Sequence, residues 1–322
     1  MSIDISKLLA PKLVIPTRYD MQKHFIVVGA GGTGGYLIPN LARQVSLQNK
    51  IRRVENLPPH KITIIDADGV EEKNLTRQQF VLADIGKNKA EVMANRYGRA
   101  FELAIEYLPE YISSTEMLLG LTDNESHIPV FIDCVDNNKT RAIMFDAYSQ
   151  TDSFMISSGN EEYSGQVVFS RNTTGKSRTL DHMLSSDRKG PVLPFRTPTL
   201  VDMFTSVLDG TDRHPSEMSC AENAVSAPQN IMTNMTAANI IFGFVNKLLM
   251  KHEDGQGIQQ FAVFFNTQDF NTRVFSTSAE DFKSAMQMGG DNERVNLFFG
   301  DERVAMEEYR AILEEKPTGV TV

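Results

Sequence analysis

The chain predicts an α/β fold built on a mostly parallel sheet, and three observations carry that prediction. Compact apolar runs stand at 24–28 (HFIVV), 61–65 (KITII) and 129–133 (PVFID). Such uninterrupted runs read as strands buried on both faces, the pattern of parallel sheets. A glycine-rich turn at 29–34 (GAGGTG) follows the first run directly and opens a helix-length segment. Strands and helices then alternate through the first half, which is the sequence signature of βαβ units.

Each element follows from local chemistry. Residues 1–23 are a short lead-in. Residues 34–48 read as a helix, in which Pro39 removes one backbone bond and predicts a kink. Residues 49–60 are polar and end in Pro58 and Pro59, which reads as a loop. Residues 88–102 form a helix with Met93, Tyr97 and Phe101 in steps of four on one face. Residues 154–157 and 166–169 are strands. Residues 171–218 are rich in Ser, Thr, Asp, Arg and Pro, a long and partly mobile crossover excursion with one helical piece at 199–208. Residues 219–222 (SCAE) fit a capping box that opens a helix. Residues 229–250 form a strongly apolar, central helix. Residues 261–265 and 272–275 read as an antiparallel hairpin continuing the sheet, and 281–288 and 294–314 as C-terminal helices. The expected organisation is a lead-in (1–23), a nucleotide-binding half (24–170), the excursion (171–218) and a second half of the same domain (219–322).

Bulk properties narrow the function. The chain has 322 residues, enough for a large core, and a formal net charge of -9. That charge gives no global field for nucleic acid or an anionic membrane. No apolar run reaches membrane-spanning length, and residues 1–12 lack a secretory pattern. The two cysteines, Cys134 and Cys220, point to a reducing, cytoplasmic compartment. The six histidines are scattered without metal-ligand spacing.

The chemistry concentrates at strand ends. Gly29 permits a tight turn, Gly31 and Gly32 let backbone amides approach phosphate oxygens, and Gly34 allows close packing of the helix. The helix N-terminus adds partial positive charge. Asp66, at the end of the second strand, is set to accept from ribose hydroxyls; Asp68 either joins it or orders the following loop. Arg77 and Lys89 are cations that a redox site does not need. They suit attack on the α-phosphorus of ATP, which builds charge on the phosphoryl oxygens and leaving pyrophosphate. After the strand ending at Asp133, Asp136 is positioned either to hold Mg²⁺ or to cap a helix. Cys134 reads as a small core residue. Cys220, at a predicted helix start, is either a stabilised thiolate able to carry an acyl group as a thioester or a packed residue. Gly159, Asn160, Gly165 and Gln166 either flank a crevice for an incoming peptide tail or form a turn. Asn230 and Asn234 are unusual on an apolar helix.

Together, Gly29-X-Gly-Gly-X-Gly34, Asp66-X-Asp68, Asn74-Leu-X-Arg77-Gln78, Gly86-X-X-Lys89 and Asp133-Cys-X-Asp136-Asn137 resemble the ThiF/MoeB superfamily, which includes ubiquitin-activating enzymes. The resemblance implies a Rossmann-like, ThiF-type fold that uses Mg-ATP to adenylate the C-terminal carboxylate of a small ubiquitin-like protein with a Gly-rich end. It implies that Asp66 binds ribose, that Asn74, Arg77 and Lys89 bind phosphates, that Asp136 binds Mg²⁺, and that the chain forms a homodimer. Residues 83–90, 159–168 and 198–202 are most similar to the ThiF-type proteins of PRTRC gene clusters. The superfamily's paired Cys-X-X-Cys motifs are absent, so no structural zinc is expected. Arg18 is a candidate for reaching a neighbouring subunit's site, although it stands close to the first strand. The competing readings are an idle nucleotide-binding scaffold and an NAD-dependent oxidoreductase.

Overall fold

The strand at the centre of the architecture, β1 (Gln22–Val28), is buried at every position. The structure is a computed structural model that describes residue 12 and residues 14–122, 127–173, 197–208, 230–252 and 257–288. In chain order its main elements are β1, α1 (Gly32–Val54), β2 (Lys61–Ile65), α2 (Lys89–Phe101), β3 (Glu106–Leu108), α3 (Thr115–Leu119) and β4 (His127–Asp133). They continue as α4 (Asn138–Ser149), β5 (Ser153–Asn160), β6 (Ser164–Asn172), α5 (Leu200–Met203), α6 (Ile231–Leu249), β7 (Gln260–Asn266), β8 (Asn271–Ser276) and α7 (Ala279–Gln287).

Among the described residues the strands form an eight-stranded sheet in the order β3-β2-β1-β4-β5-β6-β7-β8. The first five are parallel and the last three antiparallel, as the alternating and then hairpin-like pattern predicts. The carboxyl ends of β1 to β5 therefore share one edge. Chain order reverses between β1 and β4, and crevices open at such a switch point. Both faces of the parallel half are covered, which explains its unbroken apolar runs. Leu37 and Leu41 of α1, Met93 of α2 and Ile241 and Val245 of α6 pack on one face against Phe25, Val27 and Ile132. Met144 and Tyr148 of α4 and Leu118 of α3 pack on the other against Ile26, Phe131 and Met155. The antiparallel half has its own core, where Phe261 and Phe275 meet Leu200 of α5 and Phe282 of α7.

One expectation needs correction. The polar stretch from 49 is not loop: α1 runs through Pro39 and on to Val54. Its polar residues are held by the fold, because the buried Arg52 guanidinium donates to the carbonyls of Pro58 (2.6 Å), Tyr19 (2.7 Å) and Asp20 (3.3 Å). Asn49 likewise pairs with the His60 backbone in both directions, at 3.0 and 2.7 Å. Arg18 precedes β1 at the amino edge of its own sheet, with Asp20 3.9 Å away. Elements not foreseen are β3 and α3. The expected capping box at 219–222, Cys220, most of the excursion and the helix at 294–314 lie outside the described residues.

Candidate functional site

The glycine turn between β1 and α1 is compressed to the point where side chains do not fit. Gly29 has φ +97°, and a Cβ there would stand 2.6 Å from the Cys134 carbonyl oxygen. A Cβ on Gly34 would meet the Gly29 carbonyl oxygen at 1.9 Å. Only glycine meets both demands. The turn delivers a helix N-terminus whose cap residue, Gly31, has no side chain, and whose first turn carries no acid. Its first amides keep their donors for a ligand, and the helix dipole favours an anion there.

Beside this N-terminus, at the carboxyl edge, lies a cleft of about 710 Å³. Its walls carry Gly29, Gly31 and Gly32, Asp66 and Asp68, Asn74, Arg77, Lys89 and Asp136. The fold thus brings together in one cavity residues spread over more than a hundred positions. Gly34 is the third residue of α1, and its lack of a Cβ is required by the Gly29 carbonyl oxygen beside it.

Asp66 holds the loop it supports through both oxygens. Its Oδ2 accepts from the Ala30 amide at 2.6 Å and its Oδ1 from the Asp68 amide at 2.9 Å. Burial pushes its carboxyl up to about 6, against the opposing pull of Lys89. Asp68 faces the other way: Oδ2 accepts from Lys89 Nζ at 2.8 Å and Oδ1 from the Tyr111 hydroxyl at 2.7 Å. Burial would raise its carboxyl, but the charge and hydrogen bond of Lys89 and the phenol of Tyr111 outweigh this and hold it low. Asn74 is buried, and its Oδ1 accepts from the Glu71 amide at 2.8 Å, tying the turn that carries Arg77. Arg77 is half-buried on the cleft wall.

Asp136 is exposed at the cleft rim. The cap of α4 is its neighbour Asn137, whose Oδ1 accepts from the Thr140 amide at 2.9 Å, so Asp136 is left for another use. Asp133, wholly buried, pairs with Arg141 at 3.3 Å. The Arg141 guanidinium also donates to the carbonyls of Val135 (2.7 Å) and Ser158 (2.9 Å), fixing the loop that holds Asp136 against β5. Cys134 is half-buried, and burial raises its thiol, which disfavours the thiolate and fits the reading of a packed residue.

The β5–β6 hairpin closes one side. Gly159, Asn160 and Gln166 line the cleft, as the crevice reading expects. Gly165 is instead filled by packing, since a Cβ there would stand 2.6 Å from the Phe265 ring. Asn160 Nδ2 donates to Thr33 Oγ1 (2.8 Å) and Asn234 Oδ1 (3.2 Å), joining hairpin, glycine-turn helix and α6. This accounts for Asn234 on an apolar helix; Asn230 caps that helix, accepting from the Met232 amide at 2.8 Å. Sequence reasoning gave no role to Gln78, Tyr111 or Arg141. Gln78 stands in the quoted motif, and its buried Oε1 has no hydrogen-bond partner among the described residues. The other two are recognisable only from their partners in space.

An uncapped helix N-terminus at a switch point, with cations on the facing wall, defines an α/β protein of the nucleotide-binding kind. More specifically, the chain belongs to the ThiF family, whose model matches residues 21–284. It is similar to the adenylyltransferase and sulfurtransferase UBA4 of Yarrowia lipolytica, 31% identical over 147 residues, 44% of this chain and 32% of that protein. It is also similar to the tRNA threonylcarbamoyladenosine dehydratase of Haemophilus influenzae, 29% identical over 123 residues, 38% of this chain and 41% of that protein. The chain thus spans less than half the length of these curated relatives. Among solved structures, E. coli MccB shares the fold, with a TM-score of 0.51 and 17% identity, covering 81% of this chain and 64% of that one.

Proposed function

We propose that the chain is an ATP- and Mg-dependent adenylyltransferase that activates a carboxylate at the C-terminus of a small ubiquitin-like protein or peptide. The observation that carries this reading is the meeting of the uncapped α1 N-terminus, Arg77, Lys89 and Asp136 in one cleft. Its volume, about 710 Å³, suits a nucleotide with part of a second substrate. The name of the UBA4 relative supports adenylyl transfer. The net charge of -9 favours a protein or peptide acceptor over RNA.

In this reading the phosphates lie on the amides of Gly31 and Gly32, and Asp66 holds the loop and takes a ribose hydroxyl with its remaining lone pairs. The acceptor carboxylate enters past Gly159 and Asn160. Its oxygen forms a bond to the α-phosphorus as the bond to the bridging oxygen of pyrophosphate breaks. Arg77 and Lys89 stabilise the charge that collects on the phosphoryl oxygens and departing pyrophosphate. Asp136 fits Mg²⁺, being an exposed carboxylate at the rim. The described residues hold no cluster of three His, Cys, Asp or Glu. That suits a cation that keeps most of its oxygen ligands from phosphate and water. When bound, Mg²⁺ neutralises phosphate charge.

Within the family, the motifs at 83–90 and 159–168 support the PRTRC type and an acceptor with a Gly-rich end. Pairing of two copies would cover Ile231, Met232 and Met235, which are 39%, 52% and 36% exposed on α6; sedimentation velocity tests that. Cys220 remains a proposal for thioester formation. No helix among the described residues is long and apolar enough to cross a membrane.

The test is exchange of labelled pyrophosphate into ATP, stimulated by small Gly-ended proteins encoded beside the gene. Exchange that needs both ATP and the small protein is expected. Tight binding of NADH with none of ATP would reverse the reading.

A further inference from the structure

Lys89 occupies the first position of α2, with Asn88 as N-cap. A cation there is opposed by the helix dipole, and this one is also 6% exposed. Burying an ammonium at the positive end of a helix requires a counter-ion that cannot swing away. Asp68 supplies the charge, at 2.8 Å from Nζ. The Lys89 amide donates to the Asp68 carbonyl at 2.9 Å, and the Asn88 side chain donates to the same carbonyl at 3.2 Å, so the Asp68 backbone is fixed too. The last freedom, rotation of the carboxylate, is removed by Tyr111. Its hydroxyl donates to the second oxygen at 2.7 Å, and the next residue, Ile112, is buried in the core under α3 and α4.

We infer that Asp68 and Tyr111 are positioning residues: Asp68 is the fixed counter-ion that aims the Lys89 ammonium into the cleft, and Tyr111 locks Asp68 in place. This rests on the adenylation reading, in which Lys89 meets phosphate. It changes the expected part of Asp68, whose oxygens hold the Lys89 ammonium and the Tyr111 hydroxyl, from nucleotide ligand to strut. Lys89 has three N–H donors; one goes to Asp68 and two remain for phosphoryl oxygens. A donor held in position before the charge develops costs no reorganisation during the reaction.

The experiment is a double-mutant cycle on ATP affinity, with adenosine as the control ligand. Tyr111→Phe is expected to weaken ATP about fivefold, the effect of one lost hydrogen bond, and to leave adenosine unchanged. In a Lys89→Met background the same change is expected to have no effect on ATP, because its action runs through the ammonium. An equal loss in both backgrounds, or an equal loss for adenosine, overturns the inference. Reactivity of Lys89 toward acetic anhydride, read by mass spectrometry without nucleotide, is a second measure. It is expected to rise in Asp68→Asn and, less, in Tyr111→Phe; unchanged reactivity in both overturns the strut. If the unaltered protein binds ATP no better than adenosine, the adenylation reading fails, and the acetylation result then judges the strut by itself.

Discussion

The two ends of the parallel sheet hold the same kinds of charged side chain and use them differently. At the carboxyl edge Arg77, Lys89 and Asp136 border a cleft, beside a helix N-terminus without a capping side chain. At the amino edge Lys23, Arg52 and Arg171 are 0%, 0% and 1% exposed, and backbone carbonyls or acids absorb them. Lys23 donates to the carbonyls of Arg18 and Met21, and Arg52 to those of Pro58, Tyr19 and Asp20. Arg171 pairs with Asp152 and lies 4.6 Å over the Phe154 ring. Burial also lowers the basicity of the surrounding groups, taking Lys23 to about 7, His24 to about 4 and His60 to about 2. Charge density therefore does not distinguish a binding site from a structural knot. The difference is whether packing leaves a cavity with donors aimed into it.

That contrast is sharpest under mutation. Arg171→Met, which leaves the Ser153 and Asn172 carbonyls without their buried donor and the partly exposed Asp152 without its partner, is expected to cost about 3 kcal/mol of stability by urea unfolding. ATP affinity of the molecules that stay folded should not change. Arg77→Ala should do the reverse: ATP–pyrophosphate exchange falls about 10²-fold, with a much smaller change in the urea midpoint than Arg171→Met produces. A large stability loss on removing Arg77 would erase the distinction between the two ends. Asn160→Ala is intermediate, because Asn160 joins hairpin, α1 and α6. A loss of about 1 kcal/mol in stability is expected, with weaker ATP binding measured by calorimetry on the same sample.

The two ends also differ in sign with pH. The Asp66 carboxyl is raised from 3.8 to about 6, so the folded state holds a proton the unfolded chain has released. Its contribution makes the fold lose stability as pH rises from about 4 to 6. His24 and His60 are lowered from 6.5, so the unfolded chain binds protons the folded one refuses. Their contribution makes the fold lose stability as pH falls below 6.5. Unfolding curves of Asp66→Asn and of His60→Gln, each referred to the parent over this range, should therefore diverge in opposite directions. Parallel curves would contradict the assignment of the two ends.

The parallel core was legible because strands covered on both faces read as unbroken apolar runs, and the glycine turn because its geometry admits no substitute at Gly29 and Gly34. The last two turns of α1 were not legible. Polarity signals exposure, yet Arg52 is polar and wholly buried, its donors met by carbonyls from a distant part of the chain. Asp66, Arg77, Lys89 and Asp136 stood out as strand-end acids and superfluous cations. Tyr111 did not, since its partner lies 43 residues away in sequence, and Asn160, legible as a crevice residue, gave no sign of its bond to Thr33, 127 residues away. The helix at α4 is implied only by the capping alternative for Asp136, and the cap proves to be Asn137, one residue later.

The most direct test of the central claim is a crystal structure with Mg²⁺ and a non-hydrolysable ATP analogue. The account predicts phosphate oxygens on the amides at the start of α1, within hydrogen-bond reach of Arg77 and Lys89, with the cation beside Asp136. A nucleotide bound elsewhere, or the guanidinium and ammonium turned away from its phosphates, would contradict it.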